Sequence, residues 1–206
     1  MRLRYSPTSP FVRKISVAAL ELGLAERITR VPTNPWDPAS DIAHDNPLGR
    51  IPALVLDDGS GTVLYDSPVI VEYLDALAGG GRLLPAAGPA RWAALRRAAL
   101  ADGIIDAGIA VLVERVRRPE AYRWPEWIEF QTLAITRGLA GFDAELTQLS
   151  TDAPGIAEIG LMCALDWLDF RGIGSGWRDA HPALVAWHGQ LALRPSFAGT
   201  LPKDPA

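Results

Sequence analysis

Apolar residues follow two different periods along this chain, and the change comes partway through. Up to residue 78, short extended runs alternate with helical ones. "RLRY" reads as a strand. Pro10 to Leu22 reads as a helix: Phe11, Ile15, Ala18 and Leu22 recur on one face, with Val12 and Ala19 beside them, and Gly23 ends it. "RITRV" is a second strand. The proline-broken "PTNPWDPAS" is a loop, followed by a short helical piece around Asp41. "IPALVLDD" and "GTVLYD" are two strands joined through Asp-Gly-Ser-Gly, a strong hairpin signal. Ser67 to Ala78 reads as another helix through Ile70, Val71 and Leu74. The crossovers predict a parallel strand pair first and an antiparallel hairpin after it.

"AGGGRLLPAAGPA" then interrupts the pattern with Gly and Pro, and beyond it only helical periods follow. Four helices are predicted, in "ARWAALRRAALADGIIDAGIAVLVERV", "PEWIEFQTLAITRGLAGFDAELTQL", "GIAEIGLMCALDWLDFR" and "PALVAWHGQLAL". The third is apolar around most of its circumference, which makes it the buried centre of the helical part. The last ten residues read as a proline-containing tail. The expected organisation is a small α/β domain over residues 1–78, a linker over 79–88 and an all-helical domain over 89–206.

Composition narrows the class of protein. A hydrophobic content of 49% with 21% charged residues is ordinary for a soluble globular chain. The net charge of −4 carries no long single-sign run, and the densest basic spot, "RWAALRR", reads as a solvated helix face. No nucleic-acid footprint is expected. The apolar runs fall short of the roughly 20 residues of a membrane span, and "MRLRY" offers no apolar signal segment. The one cysteine, Cys163, excludes an internal disulfide, favours a reducing compartment and reads as a buried thiol. Of His44, His181 and His188 only the last two share a plausible helix, and their spacing of seven lacks the cysteine or carboxylate partners of a structural metal site, so no metal is expected.

Three short stretches carry candidate chemistry. In "TSPFVRK", Ser9 is an N-cap residue type and Pro10 suits the first helical position. Ser9 either only caps, or caps and also donates to a ligand, since a hydroxyl has two acceptor lone pairs and one hydrogen. An anion in front of that helix would feel its positive end, and a thiolate is one such anion. In "NPLGRIPALVL", Pro52 stands at the start of a strand. A cis bond there would turn the Ile51 backbone outward to pair with an extended peptide. In "YDSPVIVEYL", Ser67 and Pro68 look like a second copy of the cap-plus-proline device, with Asp66 just ahead. A ligand carboxylate could sit at that helix end, and Asp66 could face an ammonium.

In their order, these stretches make the whole chain resemble the cytosolic glutathione S-transferase superfamily, a thioredoxin-like domain followed by a helical one. The most specific part is "NPLGRIPALVLDDGSGTVLYDSPVIVEYLD", and "TSPFVRKISVAALELGL" is similar to the helix start of the serine-using classes. The resemblance implies an enzyme with glutathione as co-substrate. Ser9 would stabilise its thiolate, and Phe11, at the same helix start, would also bind glutathione. Ile51 before a cis-Pro52 would pair with its cysteinyl part. Asp66 and Ser67 would hold the γ-glutamyl end, and Arg50 would face the glycyl carboxylate. Tyr5 and Thr8 are the fallback hydroxyls. The second substrate, a small hydrophobic electrophile, would meet the long helix after the linker around Asp102, Ile105 and Asp106. For the two acids, an inter-domain bond or a cap on a neighbouring helix is the competing reading. Asp66 replaces a commoner Glu or Gln. Gly155 replaces the Ser or Thr that usually caps the buried helix, a change worth a few tenths of a kcal/mol on capping propensity. A two-fold dimer in the cytoplasm, joining the Val69–Leu77 and Arg91–Arg97 regions, is also implied. A binding or regulatory protein on the same fold, without turnover, is the alternative.

Overall fold

The structure, a computed structural model, describes residues 1–174 and 176–204. Strand β1 (Arg2–Tyr5) is followed by helix α1 (Pro10–Glu21), strand β2 (Thr29–Pro32) and the single-turn helix α2 (Ile42–Asp45). Strands β3 (Leu54–Val55) and β4 (Val63–Leu64) and helix α3 (Ser67–Leu77) complete a thioredoxin-like unit. The sheet order is β2-β1-β3-β4. The β1–β2 pair is parallel, with Leu3 opposite Arg30, while β3 runs antiparallel to both β1 and β4. The hairpin strands are shorter than the apolar runs suggested. The turn between them is built by Asp58, whose Oδ1 accepts the Ser60 N–H at 2.9 Å, with Gly59 and Gly61 at positive φ.

The rest is helical: α4 (Gly88–Val116), α5 (Pro125–Ala144), α6 (Ile156–Arg171), α7 (Trp177–Ala180), α8 (Pro182–Ala192) and α9 (Pro195–Ala198). Four match the predicted helices. The short α7 and α9 were not foreseen, since one turn of helix leaves no period to read. Every residue of α6 from Ile156 to Leu168 is buried, as its all-round apolar pattern requires. Helix α4 passes so close to α6 that a Cβ on Gly108 would meet the Trp167 ring at 2.8 Å.

Helix α1 joins the two units. It packs on α3 on one side and on α6 and α9 on the other. Because both sides are covered, each residue from Val12 to Ala19 is buried, Arg13, Lys14 and Ser16 among them. The linker is fastened to both units. The Asp75 carboxylate accepts the N–H groups of Gly81, Arg82 and Leu83 at 3.0, 3.1 and 2.9 Å. The Leu83 carbonyl then takes the Ile156 N–H at 2.9 Å, on the first residue of α6.

That last contact explains Gly155. It caps α6 with no side chain, while Glu158 reaches back to accept the Gly155 N–H at 2.9 Å. A Cβ at Gly155 would stand 2.8 Å from the Leu83 carbonyl oxygen. The glycine is required by the approach of the linker, which outweighs the small capping gain that a serine would bring. Gly155→Ser is expected to lower stability by about 1–2 kcal/mol, read by denaturant unfolding, although serine is the better cap. A serine variant as stable as the parent would contradict this.

Candidate active site

Ser9 occupies the N-cap of α1. Its backbone is extended (φ −86°, ψ 120°), its Oγ accepts the Val12 N–H at 3.3 Å, and Pro10 fills the first helical position. The hydroxyl acts here as an acceptor. Its own hydrogen has no protein acceptor among the described residues. The loop ahead of it is held from three directions. Trp167 Nε1, on α6, donates to the Thr8 carbonyl at 3.1 Å. The Ser6 and Thr8 hydroxyls lie 3.0 Å apart. The Lys203 N–H, in the C-terminal tail, donates to the Pro7 carbonyl at 3.3 Å. The Thr8 hydroxyl is therefore engaged with Ser6, and the Tyr5 ring lies 4.9 Å from the Arg30 guanidinium. Of the three candidate hydroxyls, Ser9 is the one at the helix end. Phe11 is half-buried, with Lys14 Nζ 5.7 Å from its ring centre.

The Ile51–Pro52 peptide is cis. Pro52 is buried and Ile51 half-buried, and neither the N–H nor the C=O of Ile51 has a hydrogen-bond partner among the described residues. An unpaired backbone edge thus precedes β3. Arg50 is exposed, and its carbonyl accepts from Asn46 Nδ2 at 2.8 Å.

The second serine-proline pair is not a copy of the first. Asp66, not Ser67, is the N-cap of α3: the Ile70 N–H bonds to the Asp66 carbonyl at 3.1 Å. The Asp66 side chain makes no capping bond and is exposed. Ser67 is 1% exposed, and its Oγ accepts from Lys14 Nζ at 3.1 Å. The same ammonium, 0% exposed, pairs with Asp102 Oδ1 at 2.5 Å. Asp102 therefore ties α4 to α1. Burial pushes its carboxyl up against the opposing charge of Lys14. Asp106, one turn further along α4, is exposed. Partial desolvation and then the Asp102 charge raise its carboxyl, and the charge of Arg50 opposes this. Ile105, expected on the second-substrate wall, is instead fully enclosed at 0% exposure, because it faces the core side of α4.

Beside Lys14, Arg13 makes a second crossing. Its Nη2 lies 2.7 Å from Asp166 Oδ2 on α6, and its guanidinium also donates to the carbonyls of Met162 and Phe197 and to Thr200 Oγ1. His188 Nε2, from α8, lies 2.6 Å from the other Asp166 oxygen. Burial would raise the Asp166 carboxyl, but the His188 hydrogen bond and the charge of Arg13 bring it below its ordinary value of 3.8. Cys163 is fully buried on α6, with its thiol pushed up to about 11 by desolvation. Sequence reasoning singled out neither Arg13, Lys14, Trp167 nor Asp166. The available signal was a pair of adjacent cations inside a helix whose neighbours are apolar on both faces.

With this geometry in place, comparison with known proteins settles the family. Residues 8–77 match the sequence model of the glutathione S-transferase N-terminal domain, and residues 125–189 that of the C-terminal domain. The chain is 38% identical over 206 residues to the uncharacterized GST-like protein YibF of Escherichia coli K12, covering 98% of each chain. A glutathione transferase family member from Pseudomonas fluorescens Pf-5, solved with bound glutathione, is 42% identical with a TM-score of 0.91, covering 98% of this chain and 99% of that one. A glutathione S-transferase from Methylobacillus flagellatus KT with bound glutathione is 37% identical with a TM-score of 0.89, over 98% and 99%. The chain belongs to the glutathione S-transferase family.

The Asp166 network sets an acid-side prediction. A carboxyl whose folded pKa is depressed contributes stability above its unfolded pKa and loses it as pH falls through the folded value. Asp166→Asn should cost about 3 kcal/mol at neutral pH, and the difference from the parent should shrink below about pH 4. Denaturant midpoints measured across pH test this. A difference that stays constant down to pH 2–3 would rule out the ionised network (roughly the range where the depressed carboxyl titrates).

Proposed function

We propose that this protein is a glutathione transferase in which Ser9 holds the glutathione sulfur as a thiolate for attack on a small apolar electrophile. The observation that carries the reading is the state of Ser9: it accepts from its own helix at 3.3 Å and keeps its hydrogen for a ligand. A sulfur placed there would also meet the positive end of the 12-residue α1. Both effects favour the thiolate over the thiol, so activation needs no general base. The N–H and C=O of Ile51, unpaired among the described residues, suit the cysteinyl part of the tripeptide. Asp66 and Ser67 take the γ-glutamyl end, and Arg50 takes the glycyl carboxylate. Phe11 supports the same helix start. Relatives from Pseudomonas fluorescens and Methylobacillus flagellatus bind glutathione, which supports this assignment.

In the reaction, the thiolate sulfur forms a bond to an electrophilic carbon. The electron pair of the broken bond leaves with a departing group or moves into a conjugated acceptor, and water supplies or takes any proton. The second substrate approaches along α4 past Asp102 and Asp106, with Ile105 behind them in the core. A cytoplasmic homodimer accompanies this reading. Val69 on α3 and Trp92 on α4 are exposed at 47% and 67%, apolar surface that a second copy would cover. Sedimentation at micromolar concentration should give twice the 22.2 kDa chain mass, and a monomer would refute the dimer.

The decisive variant is Ser9→Ala. Turnover with a test aromatic halide should fall about a hundredfold, with glutathione affinity little changed. Unchanged turnover would remove Ser9 from the chemistry and move attention to Tyr5 or Thr8. Tight glutathione binding by the parent, without conjugation to any electrophile, would favour a binding protein on this fold.

A further inference from the structure

Lysine is rarely fully buried, because removing an ammonium from water costs several kcal/mol. Lys14 is buried at 0% exposure, and it donates to one carboxylate and one hydroxyl. The Asp102 pair alone would account for a tie between α1 and α4. The bond to Ser67 has a further consequence, and the inference from it rests on the glutathione reading above.

An ammonium has donors and no acceptor. At 3.1 Å from Lys14 Nζ, the Ser67 oxygen must therefore be the acceptor. The direction of the Ser67 hydrogen follows, since it has to point away from the ammonium. Helix capping does not claim the hydroxyl, because Asp66 is the N-cap of α3. No protein acceptor takes the hydrogen among the described residues. Around it stands an 11-residue helix whose second position is Pro68, which has no N–H of its own. The Ser67 and Val69 N–H groups are first-turn donors without intrahelical partners. The result is a set of oriented donors, one O–H and the first-turn N–H groups with a cation one hydroxyl behind, beside the exposed carboxylates of Asp66 and Asp106. Asp102 balances that cation, so the preference for an anion arises from the oriented donors rather than from net charge.

We propose that Lys14 is a positioning residue that fixes the Ser67 hydroxyl as a donor and thereby makes the α3 end selective for a ligand α-carboxylate. Lys14 touches no ligand itself. It acts through Ser67, and it couples the recognition of the amino-acid end of the ligand to the contact between the two domains.

The test compares glutathione with the analogue 4-aminobutyryl-cysteinyl-glycine, which lacks only the γ-glutamyl α-carboxylate. Affinities are measured calorimetrically for the parent, for Ser67→Ala, for the charge-neutral pair Lys14→Met with Asp102→Asn, and for the triple variant. The paired substitution removes both charges together, so that no unpaired ion is left in the interface to unfold it. The parent should prefer glutathione at least tenfold, and the Lys14/Asp102 variant should lose about tenfold of that preference, the range of one hydrogen bond to a charged group. Adding Ser67→Ala to it should change the preference little further. Equal weakening of both ligands would show a structural tie only and overturn the proposal, as would a full additional loss on removing Ser67. A parent that binds neither ligand would overturn the glutathione reading itself, and the inference with it.

Discussion

Two adjacent cations on one buried helix hold this molecule together. Helix α1 lies between the sheet side and the helical side, so its polar residues have no route to water. Arg13 reaches Asp166 on α6 at 2.7 Å, and Lys14 reaches Asp102 on α4 at 2.5 Å. Neither pair is a simple gain, because burying two ions offsets much of their attraction. Breaking one partner is nonetheless expensive, about 3–5 kcal/mol, since it strands the other in a dry interface. The pairs therefore specify one placement of α1 against α4 and α6 more than they add stability. Gly155 and Asp75 act in the same sense at the linker, by fixing where the second unit begins.

The placement matters because the start of α1 is where the proposed chemistry lies. Trp167 reaches from α6 to the Thr8 carbonyl, one residue before Ser9, and the tail holds Pro7 through Lys203. The loop that presents Ser9 is thus fixed by the helical unit and not only by its own strand. A hydroxyl that must stabilise a thiolate gains from such preorganisation, because little reorganisation is left for the moment of reaction. The same helix carries Lys14 to the back of Ser67, so the sulfur and the γ-glutamyl end of the proposed ligand answer to one rigid element.

Much of this was readable before any coordinates. Period alone located β1, α1, α3, α4, α5, α6 and α8, because long amphipathic or all-apolar runs leave a clear pattern. Ser9 as an N-cap and the burial of Cys163 follow from residue types with strong local habits, whereas the cis bond before Pro52 is implied only by the family resemblance. The errors have a common cause. Ser67 was read as a cap because the Ser-Pro pair looks like the one at Ser9. Ile105 reads as a pocket-wall residue because the apolar content of α4 does not say which side of the helix faces the core. Lys14 and Arg13 drew no attention, because a local pattern treats a lysine as solvated. In each case a partner far away in sequence decided the outcome: Lys14 for Ser67, the core packing for Ile105, and Asp102 and Asp166 for the two cations. The glycine at 155 belongs with them. Capping propensity ranks it below serine, and only the linker carbonyl of Leu83 shows why it is there.

In the proposed reaction the start of α1, with Ser9, turns a bound thiol into a thiolate. The direct measurement is a titration of the thiolate absorbance of glutathione bound to the unmodified protein. An unperturbed thiol titrates near pH 8.5. The bound thiol should titrate at least about one unit lower, as thiols at helix N-termini do. A bound thiol that titrates at the same pH as free glutathione would contradict it.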